Sequence, residues 1–195
     1  MDCEKTGALI RTLRTERGLT QKQIADAIGI SPKTVSKWEC GQGCPDLGLW
    51  RELAVILGTD VEQLMEGEVK RNRPDSGNLS RVRFYVCPCC GNVLFSTGPT
   101  SIHCCGYRLE PLRPGEEELP GLTVEEIDME YYLTFDHPMT KQHHMVFAAY
   151  VKTDRITLQR LYPEQEATVR FPMQRGGTLY VCCSRHGLMR YKTSF

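Results

Sequence analysis

Ten cysteines and five histidines stand in this 195-residue chain, and most of them are clustered. "CPCCGNVLFSTGPTSIHCCG" carries Cys87, Cys89, Cys90, Cys104 and Cys105. Within it Cys87 and Cys90 form a C-x-x-C pair on a tight turn, and Cys104 and Cys105 are adjacent. "HPMTKQHH" puts His137, His143 and His144 inside eight residues, and "CCSRHG" adds Cys183 and His186 in C-x-x-H spacing. Thiolate and imidazole are the donors that zinc and iron select. Four thiolates suit a tetrahedral zinc or iron site, and Gly91 lets the backbone approach the sulfurs closely. Imidazoles with one thiolate suit iron or zinc, provided that the His-rich stretch and the C-terminal C-x-x-H converge.

A third constellation needs no metal. "LTQKQIADAIGISPKTVSKWE" reads as two short helices joined by a turn, the second carrying Lys33, Thr34, Ser36 and Lys37. Such a helix presents polar and basic side chains to base edges in a major groove. Val35 and Trp38 then face the core. Ser31 at the helix start is a further DNA-binding candidate, and Gln21 and Lys22 at the start of the preceding helix are placed to reach phosphates. Just beyond, Cys40 and Cys44 flank a glycine-rich loop. They form a switchable disulfide where their Cα atoms approach within about 7 Å, and are otherwise incidental small residues. Cys3, Cys89 and Cys182 read as ordinary buried small residues.

The elements that must position these groups change character along the chain. Residues 4–66 show helical periodicity at Leu9, Ile10, Leu13 and at Ile24, Ala27, Ile28. Thr20 and Ser31-Pro32 are N-terminal signals, Gly18 and Gly29 terminators, and "DLGLWRELAVILG" and "DVEQLMEG" two more helices. "EVKRNRPDSGNLSR" has little to bury and reads as a linker. Beyond it "RVRFYVC", "EYYLTF", "MVFAAYV", "RITLQRLY", "ATVRF" and "TLYVCC" are short, β-branched and aromatic, with the spacing of an all-β sandwich.

Charge is balanced in total but segregated. Residues 5–37 hold seven basic side chains against Glu16 and Asp26, a surface suited to phosphates. Residues 39–68 hold seven acids against Arg51, and residues 110–130 eight acids against Arg113. The N-terminus is charged and no apolar run approaches a membrane span, so the sequence predicts a cytoplasmic protein. Clustered thiols in a reducing compartment bind metal or do redox chemistry more often than they build a disulfide framework.

Three resemblances follow from these motifs. The "LTQ…A…GIS…VS.WE.G…P" framework, over about residues 7–68, resembles the Cro/repressor (XRE-type) helix-turn-helix family. It implies a five-helix domain binding a double-stranded DNA operator as a homodimer. "CPCCGN" followed by "CCG" resembles desulforedoxin and the first module of desulfoferrodoxin, over about residues 84–112. This implies Cys87, Cys90, Cys104 and Cys105 as ligands of zinc or iron, with Cys89 and His103 as bystanders. "HPM", a second histidine six residues after the first, and "CSRHG" resemble the superoxide reductase domain, over about residues 125–191. This implies an immunoglobulin-like sandwich and His137, His143, Cys183 and His186 as ligands of iron or zinc, with His144 outside the set.

One departure matters. The superoxide reductase pattern has a further histidine about twenty residues upstream, in a loop with Glu-Lys, where this chain reads "PLRPGEEELPGLTVEEIDMEYY". Three arrangements fit what is left: iron helped by Glu116, Glu117 or Glu118, zinc closed by three imidazoles and a thiolate, or an empty site. The expected organisation is a helix-turn-helix domain (1–68), a linker (69–81), a small four-cysteine metal knuckle (82–114) and a β-sandwich (115–195). The expected function is a DNA-binding transcriptional regulator whose C-terminal region binds metal, senses metal or redox state, and dimerises the protein. The alternatives are a superoxide reductase tethered to a DNA-binding domain, which the missing histidine disfavours, and a zinc-stapled interaction module.

Overall fold

The computed structural model describes residues 2–74, 77–115, 121–174 and 176–193, with Lys192 and Thr193 described by their backbone alone. Glu116, Glu117 and Glu118, named above as substitute ligands, lie outside the described residues. Internal contacts group the chain into two units, residues 1–71 and 72–195.

The first unit is helical: α1 (Cys3–Glu16), α2 (Gln21–Ala27), α3 (Pro32–Glu39), α4 (Trp50–Leu57) and α5 (Val61–Glu66). Each of the first three begins on a side chain that satisfies amides the helix itself cannot. Asp2 accepts from the amides of Glu4 and Lys5, and Ser31 from that of Thr34. Thr20 and Gln23 form a reciprocal capping box. Pro32 takes the first position of α3, and left-handed Gly58 and Gly67 close α4 and α5. "DLGLWRELAVILG" is less helical than the sequence predicts. Leu47–Leu49 is a single 3-10 turn, and the α-helix begins only at Trp50.

The periodic residues meet in one core, with Ile10, Ile24, Val35, Leu53 and Leu57 fully buried and Trp38 nearly so. One ionic group penetrates it. Glu39, only 8% exposed, accepts from Arg14 Nε at 2.6 Å, Arg14 Nη2 at 3.1 Å and Gln21 Nε2 at 2.8 Å. Arg14 Nη1 also donates to the Leu19 carbonyl. A single carboxylate therefore joins α1, α2 and α3. The same carboxylate, through its hydrogen bond first and its charge second, holds the Arg14 guanidinium above its ordinary pKa.

The second unit is all-β. Two hairpins come first: β1 (Arg83–Val86) with β2 (Val93–Ser96), and β3 (Ile102–Cys104) with β4 (Tyr107–Leu109). After them come β5 (Pro114–Gly115), β6 (Leu122–Ile127), β7 (Glu130–Phe135), β8 (Met145–Val151), β9 (Ile156–Arg160), β10 (Thr168–Pro172), β11 (Gly177–Cys183) and β12 (Gly187–Thr193). They form a three-stranded sheet, β10-β7-β6, and a five-stranded sheet, β5-β12-β11-β8-β9. Leu133, Phe135, Phe171, Leu179, Val181 and Met189 from the two sheets fill one core, as in an immunoglobulin-like sandwich.

β8 is buried at all seven positions. Its inward residues join the sandwich core, while Phe147, Ala149 and Val151 lie in a second cluster with Val82 and Phe84. The Phe84 ring lies 5.1 Å from that of Phe147 and 5.4 Å from that of Tyr180. The outer face of the large sheet is thus covered by the strand that leads into the cysteine hairpins. This is why "MVFAAYV" is continuously apolar instead of alternating.

Candidate metal centres and nucleic-acid interface

The cysteines sit where hairpins turn. Cys87 and Cys90 occupy the loop between β1 and β2, closed by the Gly91 amide donating to the Cys87 carbonyl and by left-handed Gly91. Cys105 and Gly106 are the two central residues of the β3–β4 turn, with φ of 50° and 80°. Positive φ at both positions marks the twist-matched hairpin turn, and it projects Cys104 and Cys105 from consecutive positions. The four sulfurs of Cys87, Cys90, Cys104 and Cys105 all lie within 4.8 Å of one another. Cys90 and Cys104 are 3.6 Å apart, and Cys104 and Cys105 4.0 Å.

The electrostatics of this cluster suit a cation. Amide hydrogen bonds, led by that of Cys90, lower the Cys87 thiol to about 7. Its neighbours are pushed the other way: Cys105 rises to about 12, chiefly because Cys90 and then Cys104 stand against it. One thiolate is already favoured, and further ones need a positive charge between them. Cys89 is exposed rather than buried, contrary to the sequence expectation, because the C-x-x-C turn points it outward; Cys182 is buried in β11.

The second cluster joins the ends of three segments. Cys183 ends β11 and is 2% exposed, and a three-residue loop to left-handed Gly187 carries His186. The amide of Arg185 donates to the Cys183 sulfur at 3.3 Å. His143 is fixed by Thr140, whose amide donates to the His143 carbonyl at 2.9 Å and whose hydroxyl accepts from the His143 amide at 3.1 Å. His137 lies two residues beyond the end of β7. The rings of His137, His143 and His186 lie 4.6 to 5.8 Å apart. Their donor atoms and the Cys183 sulfur all fall within 4.8 Å of one another.

Both ring nitrogens of His137 and Nε2 of His143 are buried without a hydrogen-bond partner. An unpaired buried polar atom costs about 1–3 kcal/mol. A bound metal would satisfy one nitrogen of His137 and one of His143, beside a thiol held by an amide. Desolvation first, and neighbouring positive groups second, lower the pKa of His137 and His143, which favours the neutral form that ligates metal. His144 is outside the group, tied to Ser184 through its backbone, and exposed His103 lies on β3.

On α3, Lys33 and Lys37 are exposed, Thr34 and Ser36 half-buried, and Val35 and Trp38 buried. Lys22 is exposed at the start of α2. Gln21, read from the sequence as a phosphate contact, spends its amide on Glu39. No spacing rule hints at this pairing, because the partners are 18 residues apart.

Cys44 departs from the sequence reading. It is bonded to Cys3, whose Cα lies 5.1 Å away, and Cys40 remains a free, exposed thiol. Cys40 and Cys44 are near neighbours in sequence, but the loop between them runs along the first turn of α1. That contact puts Cys44 against Cys3, which is therefore not an incidental buried residue.

Residues 10–64 match the helix-turn-helix family model HTH_3. The HTH-type transcriptional activator BcrR of Enterococcus faecalis is 28% identical over 74 residues, 38% of this chain and 36% of its own length. Desulfoferrodoxin of Clostridium acetobutylicum is 26% identical over 76 residues, 38% of this chain and 61% of its own length. The superoxide reductase of Treponema pallidum superposes with a TM-score of 0.50 at 21% identity, over 57% of this chain and 97% of that structure. This likeness establishes a shared fold for the β unit. Through residues 10–64 the chain belongs to the HTH_3 helix-turn-helix family, joined here to a β unit of superoxide reductase fold that is similar in sequence to desulfoferrodoxin.

Proposed function

We propose that this chain is a DNA-binding transcriptional regulator that acts as a homodimer on an operator of two half-sites. Its C-terminal unit binds metal and relays metal or redox state to the DNA-binding unit. Residues 1–68 read DNA, 69–81 link, 82–114 hold the thiol centre, and 115–195 hold the His/Cys centre. The observation that carries the DNA-binding half is α3. It is capped by Ser31, seated on Val35 and Trp38, and locked at its C-terminal end by Glu39, with Lys33 and Lys37 left exposed. Thr34 and Ser36 lie on the same short helix. Lys22 adds a phosphate contact from α2, and Gln21 acts by positioning α2 against Glu39.

The metal half rests on the two convergent clusters. Cys87, Cys90, Cys104 and Cys105 would hold zinc or iron in the hairpin centre, and His137, His143, Cys183 and His186 would hold iron or zinc in the sandwich. Iron would supply one-electron redox chemistry in either place, whereas zinc would supply a fixed cross-link. The chain's own contribution is to orient the donors. Amides of the Cys87 loop favour its thiolate, the Arg185 amide donates to the Cys183 sulfur, and Thr140 holds the His143 backbone. Desolvation favours the neutral, ligating form of His137 and His143.

Such metals regulate DNA binding only where they favour one arrangement of the dimer. The test is metal analysis with a visible spectrum of protein purified with and without air, joined to operator binding by Lys33→Ala and Lys37→Ala. Colour that develops in air and bleaches on reduction, together with weakened binding in the lysine variants, supports the reading. Zinc alone removes the iron-sensing part, and unchanged operator affinity removes α3 as the reading helix. A superoxide-reducing rate lost in Cys183→Ala would establish an enzyme instead.

A further inference from the structure

Cys3 is the first residue of α1, and Cys44 lies in the loop between α3 and the 3-10 turn. Their bond joins positions 41 residues apart in sequence, and the segment it closes contains α1, α2 and α3. The seam it crosses is also tightly packed. A Cβ on Gly7 of α1 would lie 1.8 Å from the carbonyl oxygen of Trp38, and one on Gly41 would lie 3.2 Å from the Cα of Glu4. The end of α3 and the loop after it are therefore pressed along the first two turns of α1 by packing as well as by the bond. Such packing would keep the two thiols neighbours on reduction, which is the condition for a bond that forms and breaks without refolding. One turn before the loop is Lys37, and the loop begins at Cys40, the exposed free thiol that caps α3.

We infer that Cys3 and Cys44 form a reversible disulfide that locks the C-terminal end of the recognition helix, giving the DNA-binding unit a peroxide-responsive thiol pair of its own, made of none of the metal-binding residues. Hydrogen peroxide is the oxidant. One thiolate attacks a peroxide oxygen and becomes a sulfenic acid as the O–O bond breaks and water leaves. The other thiol then displaces that oxygen as a second water, and the S–S bond forms. Two thiols lose two electrons and two protons, and the peroxide is reduced to two waters. A small dithiol reverses the step by exchange and leaves as its own disulfide. The locked unit keeps α3 in the pose seen here, so binding has less freedom to remove, and the oxidised protein binds operator more tightly. This coupling rests on the DNA-binding reading above.

The experiment uses the full chain, as wild type, Cys3→Ser, Cys44→Ser and Cys40→Ser, treated with peroxide or with dithiothreitol. Peptide mapping after alkylation is expected to recover a Cys3–Cys44 cross-link in wild type and in Cys40→Ser, lost on reduction. The helical melting midpoint is expected to fall by about 5 °C or more on reduction in those two proteins, and to be insensitive in Cys3→Ser and Cys44→Ser. Affinity for a duplex selected from a randomised pool is expected to rise about fivefold or more on oxidation, again only where both cysteines are present. Cys44 recovered bonded to Cys40, or a redox effect on affinity that persists in Cys44→Ser, overturns the inference. Equal affinity of the oxidised and reduced wild type overturns it too. A protein that binds no duplex in either state sinks the DNA-binding reading instead, while the peptide map and melting midpoint still decide whether the lock exists.

Discussion

Glu39 is the sharpest place to perturb the DNA-binding unit. Its side chain is 3% exposed and its partner Arg14 16% exposed, so the pair is largely out of water. Glu39→Ala removes three charge-assisted hydrogen bonds and leaves the Arg14 guanidinium with only the Leu19 carbonyl. Removing one member of a buried ion pair costs about 3–5 kcal/mol, mostly because the remaining charge stays buried and unpaired. For a unit of about seventy residues, each kcal/mol lowers the melting midpoint by roughly 4–8 °C. A drop of at least about 12 °C in the helical transition is therefore expected in the full chain, followed by far-ultraviolet circular dichroism. A double-mutant cycle separates the pair from its surroundings. Arg14→Met alone and Glu39→Met alone should both be costly, and the double variant should recover much of the loss by leaving no orphaned charge. Because Glu39 is the last residue of α3, operator binding should weaken along with stability. A loss below about 1 kcal/mol for Glu39→Ala, or strictly additive single variants, would refute the view that this carboxylate fastens the recognition helix.

The remaining predictions concern recognition, metal and the sheet face. Lys22→Ala should lower the steepness of the salt dependence of operator binding by about 0.9, measured by titration at several salt concentrations; an unchanged slope would show that Lys22 does not touch phosphate. Cys90→Ser should lower metal content at the hairpin centre and leave His143→Ala-sensitive metal in place, and the reverse should hold for His143→Ala. Elemental analysis of the two variants checks this, and loss of all metal in either would mean that the centres are not independent. Phe84 is 1% exposed against Phe147 and Tyr180, so Phe84→Ala should destabilise the β unit by about 3–5 kcal/mol in urea titrations. A loss under about 1 kcal/mol would show that the outer face of the large sheet does not depend on β1.

The helix-turn-helix unit was legible because its signals are local. Caps, terminating glycines and apolar spacing all act within a few residues. Glu39 was not, since its partners come from α1 and α2 and no spacing rule connects them. The strands "EYYLTF" and "MVFAAYV" stand out by composition and match β7 and β8 to the residue. β6 and β12 do not, because their sequences "LTVEEI" and "GLMRYKT" carry charges that mask the alternation. The two-residue turn between β6 and β7 uses Asp128 and Met129 at positive φ, and methionine is no turn signal. The metal-ligand candidates were readable because donor chemistry restricts the residue types. Their convergence depended on hairpins that no pattern in "CPCCGNVLFSTGPTSIHCC" discloses. The Cys3–Cys44 bond was misread for the same reason as Glu39, since only the packing of α1 against the end of α3 brings the two sulfurs together.

The central claim, that metal in the β unit sets the affinity of the helical unit for DNA, is tested most directly by comparing one operator duplex against metal-loaded and metal-stripped full-length protein at fixed salt. The account predicts affinities that differ by about fivefold or more, with Cys90→Ser or His143→Ala abolishing part of the difference. Equal affinities with and without metal, in protein whose two clusters are shown by elemental analysis to be filled and emptied, would contradict it.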